Sequence, residues 1–167
     1  MFAAAQILFE NSGGARCLEW LLAELPRRIS RPVSRTEWRG FTTVVPQIRV
    51  ETRPVALTIQ FDDDAAYVPA EIEETAAAVR GRIDSQALAA LQRCRARLDI
   101  MSATPVEPVV TQDTISVVAE TDLDPASPEV AAVLEALADI TQGFVLDCVN
   151  GRLRPPASRT WVPLEPA

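Results

Sequence analysis

The sequence predicts an α+β domain, a mixed or mostly antiparallel sheet with three to four helices packed on it. Three observations carry this. Val55, Leu57, Ile59 and Phe61 alternate with Ala56, Thr58, Gln60 and Asp62, the period-two pattern of a strand buried on one face. Leu18, Leu21, Leu22 and Leu25 recur at helical spacing and form one apolar stripe. Asn150-Gly151, between two strand-like runs, is the pair favoured in a type I′ hairpin turn.

The elements follow in order along the chain. Ala4 to Phe9 reads as a short buried strand, and Asn11 to Gly14 as the loop opening a helix that Ser12 caps and Pro26 closes. An Arg- and Pro-containing connector, Pro26 to Arg35, leads to a strand over Thr36 to Val45 that Pro46 interrupts. After the alternating strand, Asp62 to Asp64 form a turn. Pro69 opens a helix containing Ile72, Ala76 and Val79 that stops near Gly81. Asp84 or Ser85 caps the next helix, with Ala87, Leu91, Cys94 and Leu98 toward the core; Leu98 to Met101 fits either its end or a strand. Pro105 and Pro108 mark a loop, and Thr114 to Thr121 reads as strand.

Ser127-Pro128 then supplies an N-cap and a proline at the first helical position. Val130, Val133, Leu134, Leu137 and Thr141 line one face of this helix, and Gly143 stands where a C′ glycine belongs. Phe144 to Val149 is a strand and Arg152 to Arg154 its return. Residues 1–156 are thus expected to form one domain and 157–167 an extended tail, docked through Trp161.

Composition removes many chemistries. The chain has 167 residues and a net charge of −7, with no histidine; all 16 of its basic residues are arginine. Without histidine there is no Ser–His or Cys–His nucleophile pair. Without lysine there is no Schiff base and no P-loop lysine. Cys17, Cys94 and Cys148 have no metal-binding spacing and fit free thiols in a reducing, cytoplasmic setting. Cys148 reads as a buried structural cysteine. No apolar run reaches the ~18 residues of a membrane span, and Met1 to Glu10 lacks the features of a signal peptide. Sparse aromatics and 23 acids argue against a nucleic-acid surface. No cofactor is expected.

Four features point toward or away from a site. From Ser102 to Asn150 there are nine acids and no arginine, whereas Arg16 to Arg53 holds eight arginines against four acids. Glu135 and Asp139 stand at i, i+4 opposite the core face of their helix. Like charges so placed cost stability, so the pair reads either as steering for a basic partner or as plain solubility. Trp20 lies about 200° around its helix from Leu18, beside Arg16, which is the composition of an interface anchor or of a covered helix. Asp62 to Asp64, with Asp122 and Asp124, could ligate a divalent ion or simply form turns. Ser12-Gly13-Gly14 could hold an anion, though a simple cap explains it.

The expectation is a non-enzymatic bacterial protein-binding module of the immunity, antitoxin-like or secretion-chaperone-like kind. Asp122, Asp124, Glu135 and Asp139 would face a basic protein, with Trp20, Arg16 and Trp161 as anchors. The alternatives are a subunit of a homo- or hetero-oligomer, or a carboxylate enzyme using a divalent ion.

Overall fold

A five-residue strand sits at the centre. β1 (Ala5–Phe9) turns Ile7 to one side and Leu8 to the other, and both are buried. A strand buried on both faces needs a layer on each side and a partner on each edge. In the computed structural model, which describes residues 3–10, 13–14, 16–103, 108–110, 115–117 and 123–165, β1 has both. It lies antiparallel between β5 (Ala96–Ser102) and β8 (Phe144–Asp147). Beyond β5 come β4 (Leu57–Asp62), β3 (Val44–Val50) and β2 (Val33–Arg39); beyond β8 come β9 (Arg152–Arg154) and β10 (Val162–Pro163). All seven pairings in this eight-stranded sheet are antiparallel. A separate ladder pairs β6 (Pro108–Val110) with β7 (Ile115–Val117).

Four α-helices among the described residues cover the sheet. α1 (Arg16–Glu24) and α4 (Pro128–Thr141) lie on the Ile7 face, where Leu21, Leu137, Ile59 and Ile100 share one core. α2 (Val68–Val79) and α3 (Ser85–Arg93) lie on the Leu8 face, where Ile72, Val79, Leu91 and Phe144 make a second. Each fully buried Leu or Ile contributes about 1.5–3 kcal/mol. The fold class is therefore α+β as the sequence predicts, with four helices. No helix among the described residues is long and apolar enough to cross a membrane.

Several boundaries differ from the sequence expectations, each for a local reason. The strand expected over Thr36 to Val45 is two strands, β2 and β3, joined by a turn over residues 40–43. Pro46 does not interrupt it but lies inside β3, opposite Glu37. The helix expected to run to Leu98 ends at Arg93, because Cys94 is extended and Ala96, Leu98 and Ile100 alternate into the core as β5. Asp84 is its cap, accepting from the Ala87 amide. Ser127 occupies the N-cap of α4 without a side-chain cap bond. β8 stops at Asp147 rather than Val149, and the hairpin turn spans Cys148 to Gly151, four residues instead of two. Asp147 imposes this length by accepting from the amides of Val149 and Asn150. Ser12, and all but Ile115–Val117 of the strand expected over Thr114 to Thr121, lie outside the described residues.

The end of α4 shows why its glycine is needed. Gln142, not Gly143, takes the left-handed conformation (φ 55°). Gly143 instead lies against β1, where a Cβ would fall 2.7 Å from the Leu8 carbonyl oxygen and 2.9 Å from Ile7. Gly143→Ala is therefore expected to destabilise the fold by about 1–3 kcal/mol, the range for overpacking a close contact. Urea denaturation measures this, and an unchanged midpoint would contradict the close approach.

Candidate interaction surface

Pro46 shapes the most unusual surface of the molecule. Antiparallel strands alternate their backbone groups between the two neighbours. The Gly40 amide donates to Thr43 O and the Glu51 amide to Pro32 O, so even-numbered residues of β2 bond to β3. By the same alternation, the missing N–H of Pro46 falls on the side of β3 that faces β4. The β3–β4 ladder accordingly ends at the pair Ile48–Ile59, while β2 and β3 stay paired to Arg39–Val44. The hairpin projects as a two-stranded arm.

That arm carries apolar groups into solvent. Phe41 at its tip is fully exposed, Val44 is exposed and Trp38 keeps 44% of its surface. The Trp38 ring lies over Gly40, where a Cβ would meet it at 2.8 Å. Between α1 and the base of the arm runs a groove of about 560 Å³, lined by Leu18, Leu22 and Pro46 and by the charged Glu19, Arg35 and Glu37. The Glu19–Arg35 ion pair ties the helix to β2 at 2.5 Å. β2 itself is an edge strand with no strand partner on its outer side among the described residues.

The residues singled out in the sequence fall in different places. Trp20 is 46% exposed on α1, pointing away from buried Leu18 and Leu21, and Arg16 is exposed one turn before it. Glu135 and Asp139 are exposed on α4 with no side-chain ion pair among the described residues, beside Arg154 of β9 and Arg159 of the tail. Asp124 accepts from the Ala126 amide in the turn before α4. Asp122 lies outside the described residues. Trp161 is half-buried and packs against the core, with the guanidinium of Arg152 at 4.1 Å and of Arg154 at 5.4 Å from its ring centre. Its contacts are within the chain.

Two further acids of the 102–150 run serve the fold. Glu129 pairs with Arg31 and accepts from the Arg53 amide. Asp147 is wholly buried and accepts from Asn150 and Arg152 as well as the turn amides. Asp62 pairs with Arg97, which also meets Glu71 and Asp99; Asp64 accepts from the Ala66 amide. No group of three or more metal-ligating residues occurs among the described residues.

Sequence reasoning missed Trp38, Phe41 and Val44. The available signal was Gly40 in the middle of a supposed ten-residue strand, a position that marks a turn as readily as a bulge.

Titration follows surroundings. Burial pushes the Cys17 thiol up to about 11 and Cys94 to about 12, away from the thiolate that nucleophilic chemistry needs. Cys148 is exposed in its turn, contrary to the buried reading, because β8 ends at Asp147, just before it. Asp147 and Asp99 shift in opposite directions. Burial alone would raise Asp147, but its bonds to Asn150 and Arg152 outweigh it and hold the carboxyl below its ordinary range. Burial prevails at Asp99 and raises it, against Arg97 and Gln6.

Comparison with protein-family models, with curated proteins and with solved structures gives no match to this chain. The class that fold and surface define is an α+β domain with helices on both faces of an antiparallel sheet and an exposed aromatic arm at one edge.

The two carboxylates give a paired prediction. A depressed folded-state pKa makes the Asp147 contribution complete above the unfolded value and lost as pH falls through the folded one. Asp147→Asn is expected to cost about 3 kcal/mol at neutral pH, with the difference from the parent shrinking in acid. The raised pKa of Asp99 reverses the sign, so Asp99→Asn should leave neutral-pH stability unchanged or higher. Thermal unfolding across pH 3–7 reads both, and equal losses for the two variants would contradict the assignment.

Proposed function

We propose that the chain is a non-enzymatic protein-binding module whose contact surface is the β2–β3 arm. The observation that carries this reading is the exposure of Phe41 at the tip of a projecting hairpin, with Trp38 and Val44 exposed on its two opposite faces. Aromatic side chains supply large contact area at low entropic cost and dominate binding energies where they are buried by a partner. Free edge strands left unprotected invite pairing with another chain. The absence of histidine and lysine from the sequence, and the raised thiols, favour binding over catalysis.

A second contact is supported by α4. Glu135 and Asp139 are exposed like charges one turn apart, a placement that costs the helix a few tenths of a kcal/mol and suits a basic partner. Of the acids expected to form that surface, these two and Asp124 are the described ones left to it. Immunity-, antitoxin- or chaperone-like roles in a bacterial cytoplasm are the settings in which such a module serves.

A photo-reactive phenylalanine analogue at position 41 is expected to cross-link a discrete protein in cells, while the same group at Tyr67, also exposed, gives none. Phe41→Ser with Trp38→Ser should leave the unfolding midpoint within about 0.5 kcal/mol of the parent and abolish capture. No cross-link at position 41 would overturn the reading. If Glu135→Arg/Asp139→Arg leaves partner affinity unchanged at low salt, α4 has no part in the contact.

A further inference from the structure

We infer that the partner of the arm is a second copy of this chain, joined edge to edge through β2 in antiparallel register about a two-fold axis at Thr36. The inference rests on the reading of the arm as a binding surface and names its occupant.

Backbone polarity sets the first condition. The even residues of β2 bond to β3, so the N–H and C=O groups of Val33, Arg35, Glu37 and Arg39 point to the free edge. A second β2 can pair only by setting odd residues opposite odd residues. Two-fold registers of this kind centre on any residue from Ser34 to Trp38 and can be weighed by what stands opposite what.

Charge and length choose among them. Centred on Arg35, the strand sets that arginine against its own copy; centred on Glu37, it opposes two glutamates. Like charges directly opposite are destabilising. Centred on Ser34 or Trp38, only the central residue and its two neighbours pair within the strand. Centred on Thr36, all seven residues of Val33–Arg39 are in register. Arg35 then faces Glu37 of the second copy, and Glu37 faces its Arg35, on the same side of the sheet. Trp38 faces Ser34, a small side chain that leaves room for the indole. Eight inter-chain backbone hydrogen bonds follow, about two for each odd-numbered pair.

The same pattern explains why charges on this edge do not simply block pairing, their usual effect on an exposed strand. Arg-x-Glu-x-Arg opposes like charges in the registers centred on Arg35 and Glu37; the Trp38-centred one sets Glu37 against Arg39 but pairs only three residues, and the Thr36-centred one joins Arg35 to Glu37 over the whole strand. Residues 16–53 hold eight arginines against four acids, so this part of the chain is not the source of the net charge of −7.

Sedimentation velocity on the full chain tests the proposal. The wild-type chain should shift from monomer toward dimer as concentration rises to millimolar. Arg35→Glu alone sets glutamate against Glu37, and Glu37→Arg alone sets arginine against Arg35; each should weaken the dimer at least about tenfold. Mixed in equal amounts, the two variants should recover it. The introduced glutamate of one chain then faces the introduced arginine of the other, and the remaining Glu37 faces the remaining Arg35. A wild-type chain monomeric at millimolar concentration, or no recovery on mixing, overturns the proposal. Should position 41 cross-link a different protein while the chain stays monomeric, the second copy is excluded and the binding surface stands. If no protein is cross-linked there, the binding reading itself falls.

Discussion

The double burial of β1 is the constraint on which the rest depends. Ile7 and Leu8 point in opposite directions and neither keeps appreciable surface. The chain must therefore provide two apolar layers and two flanking strands around five residues. β5 and β8, which satisfy the edges, lie far along the chain; the helices on the Ile7 face come from its two ends and those on the Leu8 face from its middle. Such non-local pairing places most closure entropy before any reward, which favours slow, cooperative assembly. Gly143 belongs to the same constraint, since it lets the end of α4 approach the β1 backbone without steric conflict.

Away from this centre the two edges of the sheet are managed differently. On one side the buried Asp147 fixes the turn into β9 and holds the partly exposed Arg152, which stacks on Trp161 and so ties the tail to that edge beside β10. On the other side the chain does the opposite. Pro46 withdraws one backbone donor from the β3–β4 ladder, β4 stays with β5, and β2–β3 continues alone into solvent. An aromatic arm on a strand unpaired on its outer side among the described residues is a costly surface for an isolated domain, which the proposed partner would relieve.

Where one periodicity dominated, the elements were legible from the residues. The leucine stripe of α1, the alternation of β4 and the Ser127-Pro128 start of α4 each follow from a local rule that tertiary packing did not override. Errors gathered where two local signals competed. Pro46 reads as a strand breaker until the side of its missing N–H is known, and that depends on which neighbour lies where. Asn150-Gly151 announces a two-residue turn, but the buried carboxylate of Asp147 claims the turn amides and lengthens it. The candidate site was legible in part. Trp20 is exposed, one of the two outcomes its helical angle allows, Trp161 meets its arginines within the chain, and a single strand over Thr36 to Val45 leaves no arm to recognise.

Amide hydrogen exchange resolved by residue along β2 tests the account most directly. In dilute solution Thr36 and Trp38, bonded to β3, should be protected, and Arg35, Glu37 and Arg39, facing the open edge, should exchange rapidly. On concentrating the chain, the odd-numbered amides should gain protection while the even ones hardly change. Protection of both sets at every dilution, or rapid exchange of the odd set at every concentration, would contradict a free edge that recruits a second strand.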